Sequence, residues 1–248
     1  MSVSLLREDG IAVLRLGSDE APHVGDAEVE QLARAVETIA GDESVRAVVV
    51  GGGARHFCMG AARGTLTAPD AGARLSRLTH ALPRLLLGIP VPAVAAMAGH
   101  AVGGGFALGL WCDVAILADE SLYGANFVTL GFTPGMGSTV VVEEALGAHL
   151  ARELLFTGRL VKGRELRGAL TVCPRAEVEA RARALAEEMA AAPRAALVLL
   201  KQTLAARRRA RFEAALAEED ALHVALFADP ATRERVAAAY AAVPGEDV

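Results

Sequence analysis

Hydrophobic and polar residues follow two different periods along the first part of the chain. Residues 2–6 and 11–16 have the composition of β-strands, whereas apolar residues between Asp26 and Ile39 recur at helical spacing. Asp26 is a candidate N-cap for that helix. A short β-branched strand at 47–50 follows. This strand–strand–helix–strand order predicts an α/β fold.

The middle of the chain continues this alternation. The pattern predicts a helix over 71–87, kinked or broken at Pro83, and a buried strand over 93–97. A glycine-rich turn then leads into a helix over 104–111, and a further strand covers 113–117. The pattern therefore predicts that successive strands, separated by helices, belong to one apolar sheet.

The last third is mainly helical. A brief strand near 170–173 precedes alanine-rich helical segments from 176 to 242. Because no linker rich in Pro, Gly or Ser separates these parts, we interpret residues 1–248 as a single domain. Its core covers about 1–190 and its C-terminal helices about 191–248.

Composition and charge exclude several classes of protein. Of the 248 residues, 53% are hydrophobic and 22% are charged, which excludes a disordered chain. The net charge of −5 gives no electrostatic basis for binding nucleic acid. Proline, glycine and Asp113 interrupt the apolar stretch 85–117, so we expect it to be buried in a domain and not in a membrane.

Cysteine usage and the N-terminus indicate the compartment. The three cysteines are an odd number without metal-type spacing, so we predict no disulfide framework and no metal site. The first residues carry no signal-peptide pattern. Together these features predict a cytoplasmic protein.

Two segments rich in small residues follow predicted strands. The segment 100–108 reads His-Ala-Val-Gly-Gly-Gly-Phe-Ala-Leu, and the segment 56–63 reads His-Phe-Cys-Met-Gly-Ala-Ala-Arg. A glycine turn between a strand and a helix exposes backbone N–H groups that can hold a phosphate or an oxyanion, although tight packing explains it equally well. Two such loops can direct two N–H donors at one oxygen and so stabilise a thioester enolate.

Taken together, these segments resemble the crotonase (enoyl-CoA hydratase/isomerase) superfamily. Cys112-Asp113 and the stretch 123–137 also fit the order and spacing of that family, so the resemblance covers nearly the whole chain. It implies a spiral of β-β-α turns with a C-terminal helical region that builds a trimer. It also implies an oxyanion hole made by the N–H groups of Ala61 and Gly104.

Two departures from the hydratases of this superfamily are informative. Their two catalytic glutamates would fall at Ala107 and Phe127 of this chain. An apolar pocket cannot activate water, because activation needs a base within hydrogen-bond reach. The chain is therefore not expected to hydrate enoyl thioesters.

The narrower resemblance is to the crotonase-like decarboxylases of polyketide β-branching cassettes. It rests on the run from Asn126 to Gly137, on Phe127 in place of glutamate, and on His223 in the C-terminal region. These relatives tend to carry a lysine where this chain has Arg63, which keeps a cation of different shape. The implied reaction is loss of CO2 from a 3-methylglutaconyl-type thioester on an acyl carrier protein, giving a 3-methylcrotonyl-type thioester.

The resemblance also implies roles for individual residues. Arg63 and His223 are the expected partners of the departing carboxylate, and His223 is a candidate proton donor. Substrate-binding roles are expected for Phe127, Ala107 and Asn126. Tyr123 is a further candidate as a pocket hydroxyl, although a packed tyrosine at the strand end fits its position better. No cofactor is expected, because phosphopantetheine or CoA carries the acyl group.

Other interpretations remain open at this stage. The chain could be a different CoA-thioester crotonase, such as an isomerase with another acid, or a catalytically silent scaffold. Expected partners are a carrier protein, which the cluster Arg207-Arg208-Arg209 with Arg211 could dock, and further copies of the chain in a trimer or dimer of trimers. Crotonases often place basic residues near the CoA nucleotide where this chain has the acidic segment 17–24, so the resemblance implies a carrier-protein thioester in preference to free CoA.

Overall fold

The computed structural model describes residues 3–20 and 22–241. Ten strands lie within these residues, in two sheets. The strands are β1 (Ser4–Glu8), β2 (Ile11–Arg15), β3 (Ala47–Gly51), β4 (His56–Cys58), β5 (Ala93–Met97), β6 (His100–Val102), β7 (Val114–Ala118), β8 (Leu122–Gly124), β9 (Val161–Lys162) and β10 (Thr171–Cys173).

Helices connect the strands and form the C-terminal part of the described chain. The α-helices are α1 (Asp26–Gly41), α2 (Arg63–Leu66), α3 (Ala71–Gly88), α4 (Gly104–Leu110), α5 (Ser138–Leu146), α6 (Ala148–Thr157), α7 (Arg175–Ala190), α8 (Arg194–Ala228) and α9 (Pro230–Ala241). Short 3-10 helices cover Phe127–Leu130 and Gly163–Leu166. The predicted helices after residue 176 are thus confirmed, and α3 continues unbroken through Pro83.

Each turn of the chain contributes one strand to each sheet. The larger sheet has the order β1-β2-β3-β5-β7-β10 and is parallel except for the β1–β2 hairpin. The smaller sheet has the order β4-β6-β8-β9, in which only β9 is antiparallel among the described strands. Successive pairs β3–β4, β5–β6 and β7–β8, each followed by a helix, form the expected spiral of β-β-α turns.

The parallel sheet is buried on both faces, which explains its continuous apolar strands. Val48 and Val50 of β3 face the main core with α1 and α3, whereas Val49 faces the opposite layer. In that layer Ala182 and Ala186 of α7 are fully buried against the sheet. Alanine side chains let the helix approach the strands closely, so the alanine-rich sequence suits this position.

The apolar stretch 85–117 lies inside this framework. It contributes the end of α3, the strands β5 and β6, helix α4 and most of β7. No helix among the described residues has both the length and the apolar composition needed to cross a membrane.

Helix α8 is 35 residues long and packs along α3. Near its start, Lys201 is buried and its Nζ lies 2.9 and 2.7 Å from the two carboxylate oxygens of Asp113. Asp113 also accepts a hydrogen bond from the N–H of Ala93, so one buried ion pair joins α8 to the central sheet. This contact fixes the register in which the later part of α8 reaches the cavity described below.

We expect the protein to form a trimer or a dimer of trimers. Helix α8 leaves Leu199 and Leu200 exposed by 65% and 58%, beside the exposed Leu204, and a second copy would bury them. Light scattering after size-exclusion chromatography should give a trimeric or hexameric mass, and L199E/L200E should lower it. A monomer at micromolar concentration contradicts this expectation.

Candidate active site

Two loops meet where β4 and β6 end. A Cβ atom on Gly105 would stand 2.0 Å from the carbonyl oxygen of Cys58, so the start of α4 touches the β4 backbone directly. Gly60 has φ of +83°, and a Cβ there would lie 3.6 Å from the nitrogen of Gly104. Glycine at both positions therefore brings the two loops predicted from the sequence into contact.

The N–H groups of Ala61 and Gly104 have no acceptor among the residues that the structure describes. Gly104 is the first residue of α4, so its N–H has no partner within that helix. Ala61 is paired with Val24 in a β-bridge, but the two hydrogen bonds of this bridge run from the N–H of Val24 to the carbonyl of Gly60 and from the N–H of Ala62 to the carbonyl of Val24. The N–H of Ala61 itself takes no part in them. Within residues 3–20 and 22–241, neither N–H donates a hydrogen bond. Both residues line one cavity, as two donors to a single ligand oxygen must.

The cavity has a volume of about 200 Å³ and is mainly apolar. Helix α3 supplies Leu75, Leu78 and Leu82, and no carboxylate lines the cavity among the described residues. The polar side chains that line it are His23, Thr79, Asn126 and His223. The chemistry available is that of backbone donors, imidazole, hydroxyl and amide.

Phe127 lines the cavity at the position where hydratases carry a glutamate. Its ring is buried and packs edge-on against Phe132, with ring centroids 5.8 Å apart. Ala107, the other such position, is buried in the hydrophobic core and is not among the residues that line the cavity. The structure thus supports a substrate-facing position for Phe127 but not for Ala107.

Asn126 lines the cavity, whereas Tyr123 does not. Asn126 lines the cavity, with its Oδ1 3.2 Å from the point that a Cβ on Gly103 would occupy. Tyr123 is fully buried, and its hydroxyl donates to the carbonyl of Met97 at 2.5 Å and accepts from the N–H of Ala118 at 2.9 Å. Both bonding directions of that hydroxyl are used in the core, so the expectation of a substrate-binding tyrosine is corrected to a packed strand-end residue.

His223 reaches the cavity from α8, as expected. It is 2% exposed, lies edge-on to Phe132 and Phe227, and its Nε2 is 2.5 Å from the carbonyl oxygen of Thr133. Burial lowers the pKa of His223, against smaller opposing effects of Thr133 and Asp220. The ring is therefore neutral, with its proton on Nε2, and Nδ1 is an acceptor that bonds to no described group.

Arg63 lies beside the cavity but not on its described wall. It is the first residue of α2, two residues after Ala61, and its side chain is half-buried. Its carbonyl accepts a hydrogen bond from the hydroxyl of Thr67. The backbone thus places a cation close to the oxyanion loop.

Two residues that contribute to the site were not predicted from the sequence. Met136 lines the cavity with a positive φ of 63°, and Glu219 on α8 binds the backbone next to it. Glu219 stands four residues before His223, on the same side of the helix. That spacing is a signal, but the neighbouring Glu218 and Asp220 make the segment resemble a solvated face.

We expect His223 to make the free energy of unfolding decrease at low pH. Its folded-state pKa lies below the ordinary 6.5, so the unfolded chain takes up the proton first. The stability that the neutral ring contributes is present above about pH 6.5 and is lost as pH falls through the folded pKa.

Urea titrations at about pH 7.5 and about pH 5.5 test this expectation. His223→Gln keeps a donor for Thr133 and should lose less stability between these pH values than the wild type. The half-buried His100 and the buried Glu219, whose pKa values burial also shifts, are present in both proteins, so their contributions cancel. Equal losses in the two proteins would show that His223 is not responsible.

Comparison with known proteins gives a consistent result. The model of the enoyl-CoA hydratase/isomerase family matches residues 7–241. The bacillaene synthase decarboxylase PksI of Bacillus subtilis is 38% identical over 215 residues, which cover 85% of this chain and 86% of PksI.

Two solved structures have similar folds. A structure from a dehydratase/decarboxylase enzyme couple involved in polyketide β-branching has a TM-score of 0.88 and 35% identity, covering 95% of this chain and 98% of that one. The ECH2 decarboxylase domain of CurF from Lyngbya majuscula has a TM-score of 0.84 and 31% identity, covering 94% of this chain and 97% of the domain. Hydratases are also similar, among them the 2,3-dehydroadipyl-CoA hydratase of Escherichia coli at 29% identity, covering 94% of this chain and 92% of that enzyme.

Proposed function

The chain belongs to the enoyl-CoA hydratase/isomerase family, and we propose that it is a decarboxylase acting on a 3-methylglutaconyl-type thioester in polyketide β-branching. One observation carries the proposal: two unpaired N–H donors face a cavity whose described wall holds an imidazole but no carboxylate. Such a site can stabilise an enolate but has no carboxylate base for adding water. The similarity to PksI and to the CurF domain supports the same reaction.

The reaction moves one electron pair from a C–C bond to the thioester oxygen. The bond between the distal carboxylate and Cγ breaks, CO2 leaves, and the electrons pass through the conjugated alkene to give a dienolate. The N–H groups of Ala61 and Gly104 donate to the oxygen where this charge develops. One such donor typically contributes about 3–4 kcal/mol to the transition state, and no cofactor is needed as an electron sink.

His223 supplies the proton that the dienolate needs. Before a substrate binds, the ring is neutral, because burial lowers its pKa, and Nδ1 is its available basic atom. A substrate carboxylate nearby stabilises the imidazolium, so the ring takes up a proton at Nδ1 as the substrate binds. When the carboxylate leaves as neutral CO2, the imidazolium loses its counter-charge and transfers that proton to carbon.

Three further residues shape the substrate site. Arg63 attracts the distal carboxylate from beside the oxyanion loop and helps orient it. Phe127 keeps the cavity dry, so the dienolate meets His223 and not water, while Asn126 contacts the acyl chain at the Gly103 turn. Protonation at Cγ gives the 3-methylcrotonyl-type product.

An acyl carrier protein is the proposed donor of the thioester, through its phosphopantetheine arm. The arginine cluster on α8 contributes less to docking than the sequence suggests. Arg208 donates to the carbonyls of Leu110, Trp111 and Cys112 at 2.7 to 3.1 Å, and Arg209 contacts the carbonyl of Leu87 at 3.3 Å. Docking by this cluster therefore rests on Arg207, Arg209 and Arg211, which are exposed, and less on Arg208.

We expect no useful hydration of crotonyl thioesters and clear decarboxylation of 3-methylglutaconyl thioesters. Purified protein is incubated separately with each acyl group on a carrier protein and on CoA, and the thioesters are analysed by intact mass spectrometry. The proposal predicts loss of CO2 from the 3-methylglutaconyl carrier protein, with the CoA thioester a poorer substrate.

The same experiment separates the competing functions. Robust 3-hydroxybutyryl product would identify a hydratase, and a shifted double bond without loss of CO2 would identify an isomerase. No reaction of either acyl group would favour the catalytically silent scaffold. Each of these results overturns the proposed decarboxylase.

A further inference from the structure

The segment 133–137 forms one wall of the cavity and is held in place at nearly every residue. Trp111 Nε1–H donates to the carbonyl of Met136 at 2.8 Å, and the hydroxyl of Ser138 donates to the carbonyl of Gly135. Met136 and Gly137 have positive φ angles of 63° and 65°. A non-glycine residue in this region costs about 1–3 kcal/mol, so the surrounding contacts must enforce the conformation.

Glu219 supplies the anchor at the end of this segment. Its Oε2 accepts from the N–H of Gly137 at 2.7 Å, and its Oε1 accepts from the N–H and hydroxyl of Thr139 at 3.1 and 2.6 Å. These donors lie at the start of α5, which receives no cap from the side chain of its own N-cap residue. One carboxylate on α8 thus fixes both the end of the segment and the first turn of α5.

The anchored segment touches both parts of the catalytic apparatus. Met136 Sδ lies 3.0 Å from the point that a Cβ on Gly104 would occupy, so this side chain covers the oxyanion glycine. Gly135 lies against the His223 ring, since a Cβ there would be 2.3 Å from Cε1. A shift of the segment therefore changes the oxyanion hole and the direction of the imidazole together.

A carboxylate is a costly choice for a purely structural contact. Glu219 is 4% exposed, and burial raises its pKa. An apolar residue here would leave the N–H groups of Gly137 and Thr139 without this acceptor, so the glutamate contributes to stability as well as to the position of the segment. What the carboxylate adds over an apolar residue is a defined position for three donors.

We propose that Glu219 is a positioning residue for decarboxylation. It fixes the segment 133–137 so that Met136 covers Gly104 and Nδ1 of His223 faces the dienolate. This role rests on the proposed function. It predicts that loss of the carboxylate affects turnover and the site of protonation more than substrate binding, because the dienolate exists only after the substrate has bound.

Glu219→Gln tests this role, with Glu218→Gln as the matched control. Glutamine keeps the size but turns an NH2 group toward backbone donors, whereas Glu218 is an exposed neighbour on the same helix. We expect Glu219→Gln to lower kcat about 10- to 100-fold with KM changed less than about twofold, and to change the ratio of 3-methylcrotonyl to 3-methylbut-3-enoyl product. The control should keep wild-type kcat and product ratio.

A second measurement does not depend on the reaction. In protein labelled with ¹⁵N-histidine, the His223 signals, assigned with His223→Gln, should report the Nε2–H form in the wild type and shift in Glu219→Gln but not in Glu218→Gln. If the wild type shows no decarboxylation, the proposed function fails while the histidine spectra still test the anchor. If Glu219→Gln folds with wild-type kcat and product ratio, or loses kcat only in proportion to the unfolded fraction with unchanged His223 signals, the positioning role is wrong.

Discussion

Replacement of Gly104 by proline is expected to lower kcat for decarboxylation about 10²–10³-fold. Gly104 is the first residue of α4, a position at which helices tolerate proline because the N–H has no partner within the helix. Here that N–H is one of the two donors proposed to bind the thioester oxygen. Proline removes the donor, whereas KM should change little if the donor acts mainly on the dienolate-like transition state.

Gly104→Ala is the matched control for the added side chain. Alanine and proline both place a Cβ near Met136 Sδ, at 3.0 Å before relaxation, and only proline lacks the N–H. Because Met136 ends in a flexible thioether, the control should keep most of the wild-type kcat. If both variants fold and lose turnover equally, packing against Met136 matters and the oxyanion donor does not.

Replacement of His223 by glutamine is expected to have the largest effect, a decrease of kcat by about 10²–10⁴-fold. The glutamine amide can still donate to the carbonyl of Thr133, so the local fold is retained. What is lost is Nδ1, the basic atom proposed to take up a proton with the substrate and to return it to the dienolate. Binding of the thioester should weaken less than turnover.

His80→Gln provides the control for this variant. His80 lies on α3 and its Nε2 is 3.2 Å from Asp220 of α8, but it does not line the cavity. It should keep wild-type turnover, as measured by carrier-bound product in mass spectrometry and with folding checked by thermal melts. If His223→Gln folds and decarboxylates at the wild-type rate, His223 is not the proton donor.

The sequence predicts the sheet well because its strands are short, apolar and β-branched. In β3, Val48 and Val50 are buried on one face of the sheet and Val49 on the other. A continuous run of apolar residues is therefore correctly interpreted as a strand that is buried on both faces. The glycine-rich turn is explained by close packing, since the contact between Gly105 and the Cys58 carbonyl leaves no room for a side chain, whereas the oxyanion role of Gly104 is an implication of the family resemblance. Local sequence and local structure agree at these places.

Helix α8 shows where sequence reasoning is insufficient. Its buried face includes Lys201, Glu219 and His223. The pattern of polar and charged residues therefore does not show which side of the helix is buried and which is exposed to solvent. Glu219 lies between Glu218 and Asp220, and its burial is explained by the donors of the distant Gly137 and Thr139. The position of Arg208 is equally hard to predict from the sequence, because the carbonyls that accept its hydrogen bonds lie at the end of the distant helix α4.

Tyr123 and Ala107 were misjudged for a related reason. Both lie in segments that carry the family resemblance, but the side chain of Tyr123 extends into the core to the carbonyl of Met97. Ala107 faces the same core and ends in one methyl group. Chain position identifies the segment that forms a site, whereas side-chain direction and length decide which residues reach it.

The most direct test of the proposed decarboxylation follows the distal carboxylate itself. A carrier protein bearing 3-methylglutaconyl thioester with ¹³C in that carboxyl group is mixed with excess enzyme in a single turnover. We predict release of ¹³CO2 together with an unlabelled 3-methylcrotonyl-type thioester that stays on the carrier, and a much slower release with Gly104→Pro. Retention of the label on the carrier, with the thioester unchanged, hydrated or isomerised, would contradict it.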